Sequence, residues 1–589
     1  MPPLNRSSSA RSKGGWRPAV AGATRVLAPR GVFTVHRVDG ALFFAVRAAL
    51  AMGVVALPVA QAGRPDLAVY AMLGSFTTTF GRNLPYPRRA RVLALVAVAM
   101  TASVGCGSAF AVWARPWEGG AGEIAVVAGT ALVAGLSKFA CDAARLSGLG
   151  AVLLLFSFAV AANSPAAWSE VPVQTGLAAA GAAAAWVFGV SGWLVHPDRP
   201  QRFAVANALQ ELAVLLEATA AGGGVQQVRQ VRQRTTVAVL QAYHSLGLRP
   251  PTEPRQADRT GLFVRLTDLS WALLIGSGHD SPRHLLDTAH HLRRQARLLT
   301  RRRRKLPPLL TELPFLHQEH RGSTDPLHPS QAARVTHRAA DLLVGRYHGE
   351  PHRKAAVLAV PALRMVLGTG AAGGLAAALD LEHGYWASVS AAAVLHSVNL
   401  RTTVERAVQR TLGTLVGLLI ALGVLAVDLA PVTLALVVVL LEFLLEYYVA
   451  RNYGLGVVFL TPLALLLSDL AAPAPAGQLV YARVVGSVDG IVVGLLCALL
   501  VVHGHSAVRA ARALAACTEA AAAAERWLAD RSGPGLPTVQ LRLVAAVVEL
   551  READDAAAGE LWPAGVDPTE LAAAEQHAYA LLERLHVAR

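Results

Sequence analysis

Charge is what this sequence has least of. Only 16% of its 589 residues are charged, against 54% hydrophobic, whereas ordinary soluble domains carry about 25%. A chain of this length divided into soluble domains of roughly 100 to 200 residues would need more charge to wet their surfaces. Much of the surface therefore faces lipid, in keeping with a mean hydropathy of +0.42. Cysteine is also sparse. Cys106, Cys141, Cys497 and Cys517 are too few and too scattered for a disulfide framework or a zinc site, and they read as small packing residues. The formal charge is nonetheless +15. The basic stretches lack aromatic residues for stacking on bases, which argues against a nucleic-acid partner. They lie between apolar blocks, where the positive-inside rule accounts for them.

Catalytic signatures are missing as well. No G-x-x-x-x-G-K-[ST] loop, H-E-x-x-H or G-x-S-x-G occurs, so the sequence reads as no enzyme, with no cofactor and no ATP-driven pumping by this chain alone. Gly368, Gly370 and Gly373 satisfy G-x-G-x-x-G, but they sit inside an apolar segment with no preceding strand. Twelve of the nineteen histidines lie in the middle region, among them His284, His290 and His291. Without supporting acids they read as surface residues rather than metal ligands.

Residues 1–40 are rich in Arg, Ser, Gly and Pro, with no acid before Asp39 and no signal-type apolar stretch. They read as a disordered basic cytoplasmic tail, whose arginines also orient the first span. Two apolar regions follow, 41–195 and 358–503. Each divides at charged or Pro-bearing loops into about six segments of membrane-spanning length. Those of the first region fall near 42–61, 67–81, 91–113, 121–141, 146–162 and 172–195. The second region gives 358–379, 384–399, 408–428, 431–449, 453–469 and 481–503.

Loop charges set the orientation. Arg82, Arg88, Arg89, Arg91, Lys138, Arg145, Arg401, Arg406, Arg410 and Arg451 fall on one side. Asp66, Glu118, Glu123, Glu170, Asp380, Glu382, Asp428 and Asp469 fall mostly on the other, with Arg64 and Arg115 as exceptions. The N-terminus, the middle region 196–357 and the C-terminal region 504–589 are thus expected in the cytoplasm. Both of these polar regions read as helical. Ala208, Leu209, Leu212, Leu215 and Leu216, and again Leu262, Val264, Leu266 and Leu269, recur at helical spacing and need partners for one apolar face. The basic run Arg301–Lys305 is either a solvated helix end or a contact with anionic headgroups. The tail, with helices near 505–530, 537–556 and 567–587, is expected to pack on the middle domain.

The two apolar regions look like copies. Arg47, Leu50 and Gly53 align with Arg364, Leu367 and Gly370 at one offset, Tyr70-Ala71 with Trp386-Ala387, and Arg91 with Arg410. Six spans per copy gives a parallel pseudo-repeat. The expected fold is therefore an all-α integral membrane protein of two six-helix units, each followed by a helical domain.

Ionisable residues inside spans carry the functional expectation, since a charge in hydrocarbon normally faces a partner or a wet path. Glu442 and Glu446 are four apart on one helical face, where a shared desolvated cavity would make at least one a proton carrier. Asp489 sits in the last span. For Glu442 and Asp489, proton coupling and structural pairing both remain open. Lys138 and Asp142, also four apart, read as a salt bridge. Gly413 and Gly417, and the run Gly486, Gly490 and Gly494, mark faces of close helix approach, within a unit or between two copies.

The second half resembles the fusaric acid resistance and aromatic acid exporter family. The resemblance rests on Gly384-Tyr385-Trp386-Ala387-Ser388, on Arg401-Thr402-Thr403 with Glu405-Arg406, and on Arg410-Thr411-Leu412-Gly413-Thr414-Leu415-Val416-Gly417. Further matches are Arg451-Asn452-Tyr453, Phe459-Leu460-Thr461-Pro462, and Arg483 with Asp489 and Gly490. In the first unit the G-T-x-x-G element is reduced to Arg91-Val92-Leu93-Ala94. The resemblance implies an inner-membrane, proton-driven exporter of aromatic or other organic carboxylates, and relatives among plant malate channels imply a homodimer. Arg364 and Arg410 would then attract the anion, Tyr385 and Trp386 would offer aromatic surface, and Glu442, Glu446 or Asp489 would couple protons. A passive anion channel and a membrane-anchored structural or regulatory protein are the rival expectations.

Overall fold

The computed structural model describes residues 40–246, 263–274, 281–300, 351–500, 505–530, 536–558 and 567–587, apart from 147–149, 165–166, 398–399 and a few single positions within these ranges. The tail before Gly40, Arg145, Leu262, Arg301–Lys305, Glu382 and Asp428 lie outside the described residues. All regular structure among those described is helical.

The first membrane unit holds α1 (Ala41–Gln61), α2 (Pro65–Ser75), α3 (Tyr86–Ala114), α4 (Ala121–Ala143), α5 (Gly150–Ala162) and α6 (Val171–Val195). After it come α7 (Arg199–Ala220), α8 (Val225–Leu246) and α9 (Pro282–Thr300). The second unit holds α10 (Pro351–Ala378), α11 (Tyr385–Leu395), α12 (Leu400–Leu425), α13 (Pro431–Val449), α14 (Tyr453–Ala471) and α15 (Ala476–Leu500). The chain closes with α16 (His505–Asp530), α17 (Leu536–Ala558) and α18 (Pro568–Val587).

Ten of the described helices are long and apolar enough to cross a membrane. Nine belong to the two units. The tenth is α7, whose apolar face of Ala208, Leu209, Leu212, Leu215 and Leu216 is buried against α8 and α9, as its periodicity requires.

Three expected spans are shorter than a membrane. At 1.5 Å per residue, α2, α5 and α11 reach only roughly 16 to 20 Å, against a hydrocarbon core of about 30 Å. They lie inside the bundle instead of against lipid: every residue of α5 and α11 is buried. A helix that ends at such depth must satisfy its last carbonyls locally. In α2, Ser75, Thr77 and Thr78 do so by donating their hydroxyls to the carbonyls of Met72, Gly74 and Ser75. After α5, Asn163 and Ser164 donate to Ala159 and Val160. At the end of α11, Arg364 donates from α10 to the carbonyls of Leu395 (3.2 Å) and Ser397 (2.8 Å).

The two units share one packing scheme. In the first, α1 packs on α2 and α6, α2 on α6, α3 on α5 and α6, and α4 on α5. In the second, α10 packs on α11 and α15, α11 on α15, α12 on α14 and α15, and α13 on α14. The fourth helix of each unit also turns to the other, with α4 on α10 and α13 on α1. Neither unit is closed on itself, a feature that hydropathy carries no sign of. The expected Lys138–Asp142 bridge forms within α4 at 2.8 Å.

The C-terminal helices pack on the middle ones. Arg229 of α8 pairs with Asp554 (3.2 Å) and Glu575, Arg551 pairs with Asp554 (3.2 Å), and Thr236 meets Tyr579 at 3.2 Å. Leu240 and Trp271 extend the apolar core of α16–α18 into the middle domain.

Candidate functional site: a buried arginine pair beside Trp386

Close packing of α11 against α15 builds the centre of the second unit. A Cβ at Gly490 would collide with the carbonyl oxygen of Ala387 and lie 2.6 Å from the Ser390 Cβ. At Gly486 it would come within 2.8 Å of the Trp386 Cβ. Only glycine admits this approach, and Gly494 continues the contact at ordinary distance along Ala391. Gly413 and Gly417 do the same for α12 on α14, facing the Gly454 and Val458 carbonyls.

With α15 held this near, Arg483 lies over the Trp386 ring, 4.0 Å from its centroid. Trp386 in turn touches Tyr385 (4.7 Å between centroids) and stacks on Phe156 of α5 (5.9 Å), which joins the two units through aromatic rings. Tyr385 shares a hydrogen bond of 2.9 Å with Ser468. Arg410 enters from α12 and donates to Ser390 Oγ at 3.1 Å, near enough to Arg483 for the two charges to repel.

Both arginines are 1% exposed. Nε of Arg410 and Nε and one terminal nitrogen of Arg483 have no hydrogen-bond partner, nor do Trp386 Nε1 and the Tyr453 hydroxyl. Thr414 and Ser487 lie one turn beyond Arg410 and Arg483 respectively, and their hydroxyls are likewise unpartnered. Among the described residues, neither arginine has a carboxylate within ion-pair distance. Two desolvated like charges surrounded by spare donors form a site that lacks its counter-charge, and a planar oxyanion would supply it. Arg406, one turn below Arg410 and 5.3 Å from the Tyr453 ring, extends the positive line toward the start of α12.

Of the residues anticipated for anion binding, Tyr385, Trp386 and Arg410 come together. Arg364 does not join them, because it caps the opposite end of α11. Arg483 and Thr414 entered the sequence reading only as matches to the family pattern, with no role assigned, whereas Ser390 and Ser487 carried no sequence signal.

The anticipated proton-coupling acids separate into three environments. Glu446 accepts hydrogen bonds from Thr79 (2.6 Å) and Arg82 (2.9 Å), and its own carbonyl accepts another from Arg82 (2.9 Å). This ties α13 to the first unit just beyond α2. Glu442, one turn away and 1% exposed, has no partner for either carboxylate oxygen. Asp489 is half-buried on α15, with Oδ2 unpartnered.

Long apolar helices packed around short, buried apolar ones define a multi-pass α-helical membrane protein. Its second half carries a family pattern: residues 371–548 match the model described as fusaric acid resistance protein-like, a stretch that includes Trp386, Arg410, Glu442 and Arg483. The chain is also 26% identical over 547 residues to the "Uncharacterized membrane protein YvaC" of Bacillus subtilis (strain 168), covering 88% of this chain and 83% of that protein. No solved structure matches the chain.

Proposed function

We propose that the protein transports organic anions across the inner membrane and that the Arg410–Arg483 pair binds them. The observation carrying this reading is the pair itself, buried without a counter-charge beside Trp386. A guanidinium pair fits a carboxylate, and the Trp386 and Phe156 rings fit an aromatic body on the same solute. Export coupled to protons is the finer reading, with Glu442 as the carrier, because its carboxyl is buried and uncommitted. The loop charges support a cytoplasmic location for both termini and the middle domain, the matching packing schemes support two copies of one unit, and the family resemblance supports a homodimer.

A passive channel is the second reading. It is favoured by Glu446, which is engaged by Arg82 and Thr79 as a tie and so is a poor carrier.

The deciding experiment is uptake of a panel of aromatic carboxylates into vesicles holding the purified protein, with and without an imposed pH gradient. Gradient-driven uptake that is lost in Arg483→Gln supports the proposal, and uptake indifferent to the gradient selects the channel. No uptake of any probe, or undiminished uptake by both Arg410→Gln and Arg483→Gln, removes this site from transport and leaves the membrane-anchored structural role.

A further inference from the structure

The two units share a packing scheme, yet their matching positions carry different chemistry. A Cβ at Gly417 of α12 would lie 2.7 Å from the Val458 carbonyl oxygen of α14, and one at Gly107 of α3 would lie 2.7 Å from that of Phe158 of α5. Gly490 of α15 meets the Ala387 carbonyl of α11, and Gly181 of α6 meets the Ala71 carbonyl of α2. These contacts pair the helices residue by residue. Seven positions before Gly417 and Gly490 stand Arg410 and Arg483, whereas seven before Gly107 and Gly181 stand Met100 and Gln174. Trp386 is matched by Tyr70, and Ser390 by Gly74. Arg91, which the sequence aligns with Arg410, stands nine residues before Met100. At the matching positions the first unit has no guanidinium where the second has two. Its residues there are buried and neutral: Met100 is 0% exposed, Gln174 is 2% exposed, and Tyr70 faces Ser164 and Gln174.

At this site the aromatic contact crosses between the units in one direction. Phe156 of α5, held edge-on by Phe76 at 6.3 Å, stacks on Trp386 with 28° between the planes. The matching contacts of Phe158 and Val458 put Gly456 at the corresponding position of α14, and glycine has no side chain to return. We infer that each chain holds one anion, whose carboxylate is recognised by the second unit through Arg410 and Arg483 and whose ring is recognised by the first unit through Phe156. This assignment builds on the anion site proposed above and makes a residue of the other unit its determinant of specificity. A carboxylate at the matching place in the first unit would exchange its hydration for neutral partners alone, and a buried charge without a counter-charge is strongly disfavoured. An aromatic body that extends the row of Phe76, Phe156 and Trp386 gains offset stacking, whereas a saturated body of equal charge gains burial alone.

The test is calorimetric titration of the full-length protein in detergent with benzoate and with cyclohexanecarboxylate, which bears the same charge on a saturated ring. Wild type is expected to bind benzoate at one site per chain, and more tightly than cyclohexanecarboxylate. Phe156→Leu should weaken benzoate roughly tenfold and leave cyclohexanecarboxylate within about twofold, the size of one lost aromatic pair. Arg483→Gln should weaken both acids. If Phe156→Leu does not fold, Phe156→Met fills the same space without a ring and gives the same comparison. Two benzoate sites per chain, or an equal response of both acids to the Phe156 variants, overturns the inference while the anion site stands. Binding of neither acid by wild type, or unchanged binding in Arg483→Gln, removes the anion site itself and the inference with it.

Discussion

Glu442 and Glu446 stand one turn apart on α13, yet the structure expects opposite responses to the same change. Replacing Glu446 by Gln removes the charge that neutralises Arg82, whose side chain is 20% exposed. A fully buried ion left without its partner costs about 3 to 5 kcal/mol. Arg82 keeps its bond to the Glu446 carbonyl and its place over Phe44, and some contact with solvent, so a loss of about 2 to 3 kcal/mol is expected. Glu442 has no partner to strand, and an amide there is no harder to bury than an unpaired carboxylate. Glu442→Gln should therefore change stability by less than about 1 kcal/mol. Removing both partners in Arg82→Gln/Glu446→Gln should recover part of the loss, with a coupling of about 1 to 3 kcal/mol. Thermal unfolding in one detergent, run on these three variants and on Arg82→Gln alone, reads these numbers, and gradient-driven uptake reads function. Glu442→Gln that folds normally but loses gradient-driven uptake identifies the carrier. Equal destabilisation by both glutamate variants, or strict additivity of the Arg82 and Glu446 changes, would refute the tie between the units.

Glycine positions offer a matched pair. Gly490→Ala drives a methyl into the Ala387 carbonyl and should lower stability by about 3 kcal/mol, whereas Gly423→Ala meets nothing within 4 Å and should gain up to about 1 kcal/mol. Equal melting temperatures for the two would disprove the close approach of α11 and α15. Arg483→Lys keeps the charge but loses the planar fork, so carboxylate affinity should fall about tenfold while Tm holds. An unchanged affinity by titration calorimetry would make Arg483 a packing residue. Orientation is tested with single cysteines in a background where Cys106, Cys141, Cys497 and Cys517 are all changed to Ser: Glu118→Cys should react with an impermeant maleimide on intact cells, and Arg234→Cys and Thr518→Cys should not. The reverse pattern would invert the topology.

How much of this was legible in sequence follows from what each signal measures. Hydropathy located the long apolar helices because lipid contact averages over many residues, and the periodicity of α7 announced its buried face. Those same apolar windows could not distinguish a crossing helix from a short internal one. The residues of α11 are as apolar as a span, but they face other helices and not lipid, and what ends the helix is an arginine on α10, about thirty residues away in the chain. The small-residue spacing at Gly486 and Gly490 signalled close approach without naming α11 as the neighbour. Arg364 and Arg410 were equivalent in sequence, since both are cations near span ends, and only tertiary placement sends one to a helix cap and the other to Trp386. Arg82 was read as loop charge, and its bond to Glu446 spans more than half the chain, beyond the reach of any local pattern.

The exchange of fourth helices sets a timetable for biogenesis. When α4 leaves the ribosome, the helix it must pack against does not yet exist, and roughly 200 residues separate the end of α4 from the start of α10. At about 5 to 20 residues per second, that is a wait of roughly 10 to 40 s. During it, Gly135 and Ala131, which later receive Val366 and Gly370, must be shielded by lipid or by an insertion factor. The middle domain is synthesised within the same interval, so its folding on one side of the bilayer precedes closure of the membrane bundle, and the first half of the chain completes its fold only after the second half has been inserted.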